Sequence, residues 1–136
     1  MSAPQPSLSA AGAPAAPLLV ACLCAAWCRT CDAYRDTLAA VRDAMRIAHP
    51  EAALRFVWVD IEDESELVGH LDIEDFPTLL VARDAEVLFF GPVLPHAQTV
   101  DRLVRHMLDG APALDARALA TEVVALPGRL AGHAAI

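Results

Sequence analysis

A short apolar run, Leu18 to Ala26, ends directly in Trp27-Cys28-Arg29-Thr30-Cys31. Its first seven residues, Leu18 to Cys24, read as a strand buried on both faces, because the run is brief, continuous and apolar at every position. Beyond the cysteines, Tyr34, Leu38, Val41, Met45 and Ala48 recur at steps of three and four. That is the apolar stripe of a helix, and Pro50 stops it. A buried strand feeding straight into an amphipathic helix restricts the chain to layered architectures in which helices cover a sheet. The junction also sets two cysteines at a helix start. Unpaired N–H groups and aligned peptide dipoles there favour an anionic sulfur. Two intervening residues let the sulfurs close a small disulfide and open it again, although the same C-x-x-C spacing also supplies half of a zinc site.

Composition narrows the rest. The chain has 136 residues, 56% of them hydrophobic, enough for one domain with a real core and too few for two of ordinary size. No apolar stretch reaches the roughly 18 residues that span a bilayer, so no membrane association is expected. The segment Met1–Pro17 holds four prolines and no basic residue. A secretory signal needs a positive start and an unbroken apolar centre, and cleavage after the first long apolar run would destroy the cysteine motif. The expected location is therefore cytoplasmic. The net charge is −8 and every basic side chain is Arg; an acidic chain without a basic stripe argues against nucleic acid as partner. All four cysteines fall between positions 22 and 31. A secreted disulfide framework would spread them to close long loops, so the clustering points to one local site in a reducing compartment.

Residues 1–16, rich in Ala, Pro and Ser, read as a disordered tail. After the first strand and its helix (Thr30 to about Ala48), Leu54–Val59 forms a second strand. Asp63 and Glu66 resemble a capping pair for a short helix whose inner face is Leu67, Val68 and Leu71. Phe76–Val81 is a third strand, Asp84-Ala85 a tight turn, and Glu86–Phe90 a fourth strand antiparallel to the third and ended by Gly91-Pro92. Val100, Leu103, Val104, Met107 and Leu108 mark another helix. An Ala-rich helix over 113–126 precedes Pro127-Gly128, with Leu114, Ala118, Leu119 and Val123 on one side. The order βαβαββα gives an α/β fold with a central mixed four-stranded sheet flanked by helices. The expected organisation is a tail at 1–16, a domain at 17–110, and a helical or flexible C-terminal extension at 111–136 that docks on the domain or covers a free sheet edge.

Three anchors in order, Trp27-Cys28-x-x-Cys31, Val57-x-x-Asp60 and Phe76-Pro77-Thr78, resemble the thioredoxin-fold family over about residues 18–110, and Gly91 matches the family's glycine after its last strand. The resemblance implies a thioredoxin-like fold, lacking here the usual first strand and helix. It also implies a cis-proline at Pro77 beside the cysteine pair. The chain departs from the family in its details. The buried acid expected six residues before the first cysteine is Cys22, and its partner lysine is Trp58. The dipeptide between the cysteines is Arg29-Thr30 in place of Gly-Pro.

The resemblance implies a thiol–disulfide oxidoreductase that reduces protein disulfides. Cys28 is the expected nucleophile, favoured as thiolate by the helix start and by Arg29. Cys31, one turn deeper, is the expected resolving thiol. Trp27, Arg29, Thr30, Phe76 and Pro77 would shape the substrate site. A cis bond at Phe76-Pro77 would offer Phe76 backbone groups to a substrate strand, and the ring would keep metal from the thiols. Trp27 would shield one side of the site or simply pack in the core. Asp60, two residues beyond Trp58 and on the same strand face, is a candidate for proton transfer in place of the absent acid. Eight acidic residues fall from Asp60 to Asp75. Those from Glu62 to Glu66 read as a solvated face, and Glu74 and Asp75 as a rim of the groove that opposes the thiolate and disfavours acidic partners. His49, His70, His96, His106 and His133 form no group with the cysteines.

Cys22 and Cys24 share one face of their strand. They are small buried hydrophobes, or Cys22 forms an alternative disulfide with Cys31, or the pair joins Cys28 and Cys31 around zinc; no metal is assigned to the site. No flavin or nicotinamide motif is present, so no cofactor is expected. Electrons would come from a partner reductase or a small thiol, with disulfide-containing proteins as substrates and the chain a monomer. The alternatives are a non-catalytic binding or assembly module on the same fold and a small zinc-binding protein.

Overall fold

The computed structural model describes residues 17–136; the expected tail at 1–16 lies outside the described residues. Strand β1 (Leu18–Cys24) is followed by helix α1 (Arg29–Ala48), strand β2 (Leu54–Asp60) and a single helical turn α2 (Ser65–Val68). Strands β3 (Thr78–Arg83) and β4 (Glu86–Pro92), helix α3 (Ala97–Leu108), a 3-10 turn (Ala116–Ala118) and helix α4 (Thr121–Arg129) complete the chain. The sheet order is β2-β1-β3-β4. β1 pairs parallel with β2 and antiparallel with β3, and β3 pairs antiparallel with β4. This is the expected mixed, thioredoxin-like sheet.

β1 occupies the inside of the sheet, and all seven of its residues are buried. Its side chains alternate between two cores, as strand geometry requires. Leu18, Val20, Cys22 and Cys24 face α1 and α3, where they meet Tyr34, Leu38, Met45, Val100 and Val104. Leu19, Ala21 and Leu23 face the other way, toward Val68 of α2 and Val123, Leu126 and Leu130 of the C-terminal segment. The helical stripe read from sequence is the buried face of α1, with Cys31 added at its start.

Several boundaries differ from the sequence reading. Asp63 does not cap α2; the N-cap is Glu64, without a side-chain hydrogen bond. The Asp60 carboxylate organises that turn instead, its Oδ1 accepting from the Glu62 and Asp63 N–H groups at 2.9 and 3.1 Å. Phe76 and Pro77 precede β3 and are not part of it. Gly91 and Pro92 continue β4, because Pro92 sits opposite Thr78 at a sheet edge where its missing N–H removes no bond. Asp84, at φ 54°, makes the two-residue hairpin turn in the left-handed region that Asp tolerates.

The extension at 111–136 is part of the second core. Its helix begins at Thr121, later than expected, and runs through Pro127. The proline is accommodated in the last turns, where it is itself buried. Of the predicted stripe only Val123 is buried and Leu119 partly so; Leu114 is exposed. The segment also reaches the outer edge of β2. Ile136 N–H donates to Phe56 O at 2.8 Å, and the Arg55 guanidinium donates to the Leu130 and His133 carbonyls. Both sequence expectations, docking on the domain and covering an edge, describe it. Gly69 makes the approach possible: at φ +60° it adopts a conformation that L side chains rarely reach, and a Cβ there would overlap the Glu122 carboxylate. That carboxylate accepts from the His70 N–H at 3.1 Å and from Arg129 at 2.9 Å.

Two outcomes follow from this docking. Leu126 is fully buried, so Leu126→Ala should cost about 3 kcal/mol, as an ordinary core truncation does. Urea unfolding checks this, and a cost below about 1 kcal/mol would mean that α4 packs loosely. The Arg129 hydrogen bond, aided by the His70 N–H and opposed by desolvation, holds the Glu122 carboxyl below its ordinary range. A depressed value in the folded state makes its stabilisation present above the ordinary carboxylate range and lost as pH falls through the folded value. Glu122→Gln should therefore be less stable than the parent at pH 7, with the difference shrinking as pH falls through the lowered folded value, as urea unfolding at a series of pH values will show.

Candidate active site

The site forms where β1 hands over to α1. A turn closed by Cys28 N–H donating to Ala25 O at 3.0 Å reverses the chain. Cys28 then becomes the N-cap of the 20-residue α1, with extended backbone at φ −87° and ψ 115°. Its side chain makes no capping hydrogen bond. The first-turn N–H groups are thus left to whatever charge Cys28 carries. Cys28 is half-buried, whereas Arg29 and Thr30 are exposed and Cys31 turns inward, 1% exposed.

Sheet register brings the proline loop to the same place. Leu23 pairs with Thr78, so the next residue back along the antiparallel ladder, Pro77, falls beside Cys24. The Phe76–Pro77 bond is cis, Pro77 is buried, and its carbonyl accepts from Val93 N–H at 3.1 Å. Trp27 is not a core residue. It is 67% exposed and meets Phe76 edge-on, with ring centroids 5.6 Å apart. Together these two rings form an aromatic wall next to Cys28. Glu74 and Asp75 are exposed and line a cleft of about 290 Å³ with Asp72, Thr78, Phe90 and Pro92. Neither Cys28 nor Trp27 lines that cleft, so the expected acidic rim faces a different recess.

The sulfur pairing differs from the expectation. Cys31 is disulfide-bonded to Cys24, with Cα atoms 5.8 Å apart, and Cys28 is free. The reason lies in the two periodicities. Cys24 is the last inward residue of β1 on the face that α1 covers, and Cys31 is the first inward residue of α1. Cys28, at the cap, is only half-buried and packs at the border of that layer. Cys22 does not bond Cys31. It is a fully buried free thiol with its Sγ 3.6 Å from the Cys24 Sγ. Burial pushes the Cys22 thiol far up, so it stays protonated and cannot take the place of the family's buried acid. The neighbouring Tyr34 hydroxyl is buried without a hydrogen-bond partner among the described residues, and burial, then the nearness of Cys22, pushes it up as well.

Cys31 also lines a cavity of about 220 Å³ with Asp32, Arg35, Trp58 and Asp60. Asp60 is opposite Cys24 in the β1–β2 register, which places a half-buried carboxylate at the level of the disulfide. The Arg35 guanidinium lies over the Trp58 ring, 5.2 Å from its centroid, a cation–π contact. Trp58 stands where the family has lysine, so α1 supplies to this spot the positive charge that β2 lacks. Sequence reasoning missed Arg35 and the bonding role of Cys24. The spacing Cys31 to Arg35, one helical turn, and the shared parity of Cys22 and Cys24 were the signals for both. Among the described residues no three His, Cys, Asp or Glu side chains are grouped to hold a metal ion, and no helix is long and apolar enough to cross a membrane.

The family model for thioredoxin matches residues 10–102. The chain belongs to the thioredoxin family. Compared with curated proteins by sequence, it has no significant match. Among solved structures it is similar to chloroplastic thioredoxin z, with 20% identity over 69% of this chain and 80% of the other and a TM-score of 0.54. It is also similar to Deadhead, the germline-specific thioredoxin of Drosophila melanogaster, with 17% identity over 69% and 81% of the two chains and a TM-score of 0.51. The zinc-bound form of human ERp44 gives 19% identity and a TM-score of 0.58 over 67% of this chain, which spans 27% of that protein. At these identities the likeness concerns the fold alone. Membership of the thioredoxin family, with clustered cysteines at the start of α1, suggests thiol–disulfide redox chemistry.

Proposed function

We propose that the protein is a thiol–disulfide oxidoreductase that reduces protein disulfides through Cys28 and Cys31. The observation that carries this reading is the half-buried Cys28 at the uncapped start of α1, one turn from Cys31 and next to the Phe76–Pro77 loop. Cys28 thiolate attacks a substrate disulfide and forms a mixed disulfide, releasing one substrate thiol. Cys31 then attacks Cys28 Sγ, closes the Cys28–Cys31 bond and frees the second substrate thiol. The exposed Trp27–Phe76 wall and the backbone of Phe76 would receive an extended substrate segment, while Arg29 and Thr30 shape the entrance. Asp60, on the cavity that Cys31 lines, would take the proton that Cys31 gives up. Electrons come from a partner reductase or a small thiol in the cytoplasm, and the protein acts as a monomer.

A single observation favours a second reading. With Cys31 tied to Cys24, Cys28 is a lone accessible thiol, suited to a binding module that captures a partner as one mixed disulfide. Catalytic turnover separates the two readings.

Insulin reduction driven by dithiothreitol should proceed over many turnovers with the parent protein and fall to the uncatalysed rate with Cys28→Ser. Parent activity no higher than that of Cys28→Ser would overturn the oxidoreductase reading. In a rapid-mixing assay, Asp60→Asn should prolong the mixed disulfide by about a hundredfold, the low end of what a positioned proton acceptor contributes. An unchanged lifetime removes Asp60 from the mechanism.

A further inference from the structure

We propose that Cys24 is a third redox cysteine. In this proposal the oxidised protein stores its disulfide internally as Cys24–Cys31 and returns Cys28 to the free thiol. The inference rests on the oxidoreductase reading for the origin of the disulfide, but its own basis is the geometry of the four sulfurs. Cys31 is the shared member. It faces Cys24 across the strand–helix layer, where the two are bonded, and it follows Cys28 by one helical turn, the spacing of the C-x-x-C motif.

The exchange needs no outside oxidant. Reduction of a substrate leaves the Cys28–Cys31 disulfide. Cys24, as thiolate, attacks Cys31 Sγ. The Cys24–Cys31 bond forms, the Cys28–Cys31 bond breaks, and Cys28 leaves as thiolate. The number of disulfides is unchanged, and the proton lost by Cys24 is balanced by the one that Cys28 takes from water. Cys28 leaves toward solvent, because it is half-exposed at the helix start while Cys24 and Cys31 are buried. The reverse reaction, Cys28 attacking Cys31, returns the disulfide to the surface.

Burial gives the exchange its consequence. Cys24 and Cys31 are each 1% exposed, so an external thiol does not reach the stored bond directly. Re-reduction must pass through Cys28, which makes Cys28 a gate: any group that caps it holds the protein oxidised. Cys22, 3.6 Å from Cys24, stays outside the exchange because it lies two residues further back along β1, and the sulfur that meets Cys31 is that of Cys24.

The test uses the full-length protein, oxidised with diamide and freed of the reagent. One portion is quenched in acid, its free thiols are blocked with N-ethylmaleimide in denaturant, and the disulfide is then reduced and labelled with iodoacetamide. Fragment-ion mapping should find maleimide on Cys22 and Cys28, and the second label on Cys24 and Cys31, in at least half of the molecules. A second portion is capped natively at Cys28 with N-ethylmaleimide. Its remaining disulfide should be reduced by dithiothreitol at least tenfold more slowly than in uncapped protein. The Cys24→Ser variant, oxidised the same way, should lose native maleimide labelling of Cys28 by at least tenfold. The proposal is overturned if the second label falls mainly on Cys28 and Cys31, if capping leaves reduction unchanged, or if Cys24→Ser labels like the parent. Insulin turnover with a Cys28–Cys31 disulfide alone would keep the oxidoreductase reading and sink this one. A Cys24–Cys31 disulfide without turnover would do the reverse.

Discussion

Burial of β1 on both faces is the constraint on which the structure depends. A strand with no polar side chain can be satisfied only by neighbours on each side and layers above and below. β2 and β3 supply the hydrogen bonds; α1 with α3, and α2 with α4, supply the covers. The same strand delivers the chemistry. Its register with β3 sets Pro77 beside its end, its register with β2 sets Asp60 opposite Cys24, and its continuation becomes the first turn of α1. The sulfur cluster is therefore not an addition to the fold but the place where its most buried strand stops.

Two requirements meet at that end. Packing wants apolar residues of modest size where α1 crosses the sheet, and Cys22, Cys24 and Cys31 meet that requirement as small hydrophobes. Thiol exchange with a partner needs a sulfur within reach of solvent, and Cys28 is the one of the four that is not fully buried. The usual buried acid and lysine are replaced by a thiol that stays protonated and by Trp58 with Arg35 stacked over it. A carboxylate at this level survives in Asp60, displaced to the end of β2 and partly engaged by its own turn.

Much of this was legible in the sequence because period alone separates strands from helices. The apolar run at Leu18–Cys24, the stripe from Tyr34 to Met45 and the turn at Asp84-Ala85 all carry their structure locally. The anchors at Cys28, Cys31 and Pro77 pointed to the candidate site. What was not legible depends on contacts between distant segments. Which sulfur bonds Cys31 is settled by how α1 lies on the sheet, and the spacing Cys28-x-x-Cys31 says nothing of Cys24. The exposure of Trp27 follows from its place in a turn held by Ala25 and Cys28, while residue type alone also left core packing open. The extension behaved likewise: its stripe predicted docking, but the helix start at Thr121 and the passage through Pro127 were set by the sheet it packs on.

The second layer is assembled from opposite ends of the described fold. β1 is the first element of the described residues and α4 the last, yet Leu19, Ala21 and Leu23 find Val123, Leu126 and Leu130 in one cluster. The α1–α3 side of the sheet has its own cover and does not need α4. Without α4 the opposite side is covered by little more than the single turn of α2. Local opening of the C-terminal segment therefore turns an apolar sheet face to water while the sulfur layer stays packed.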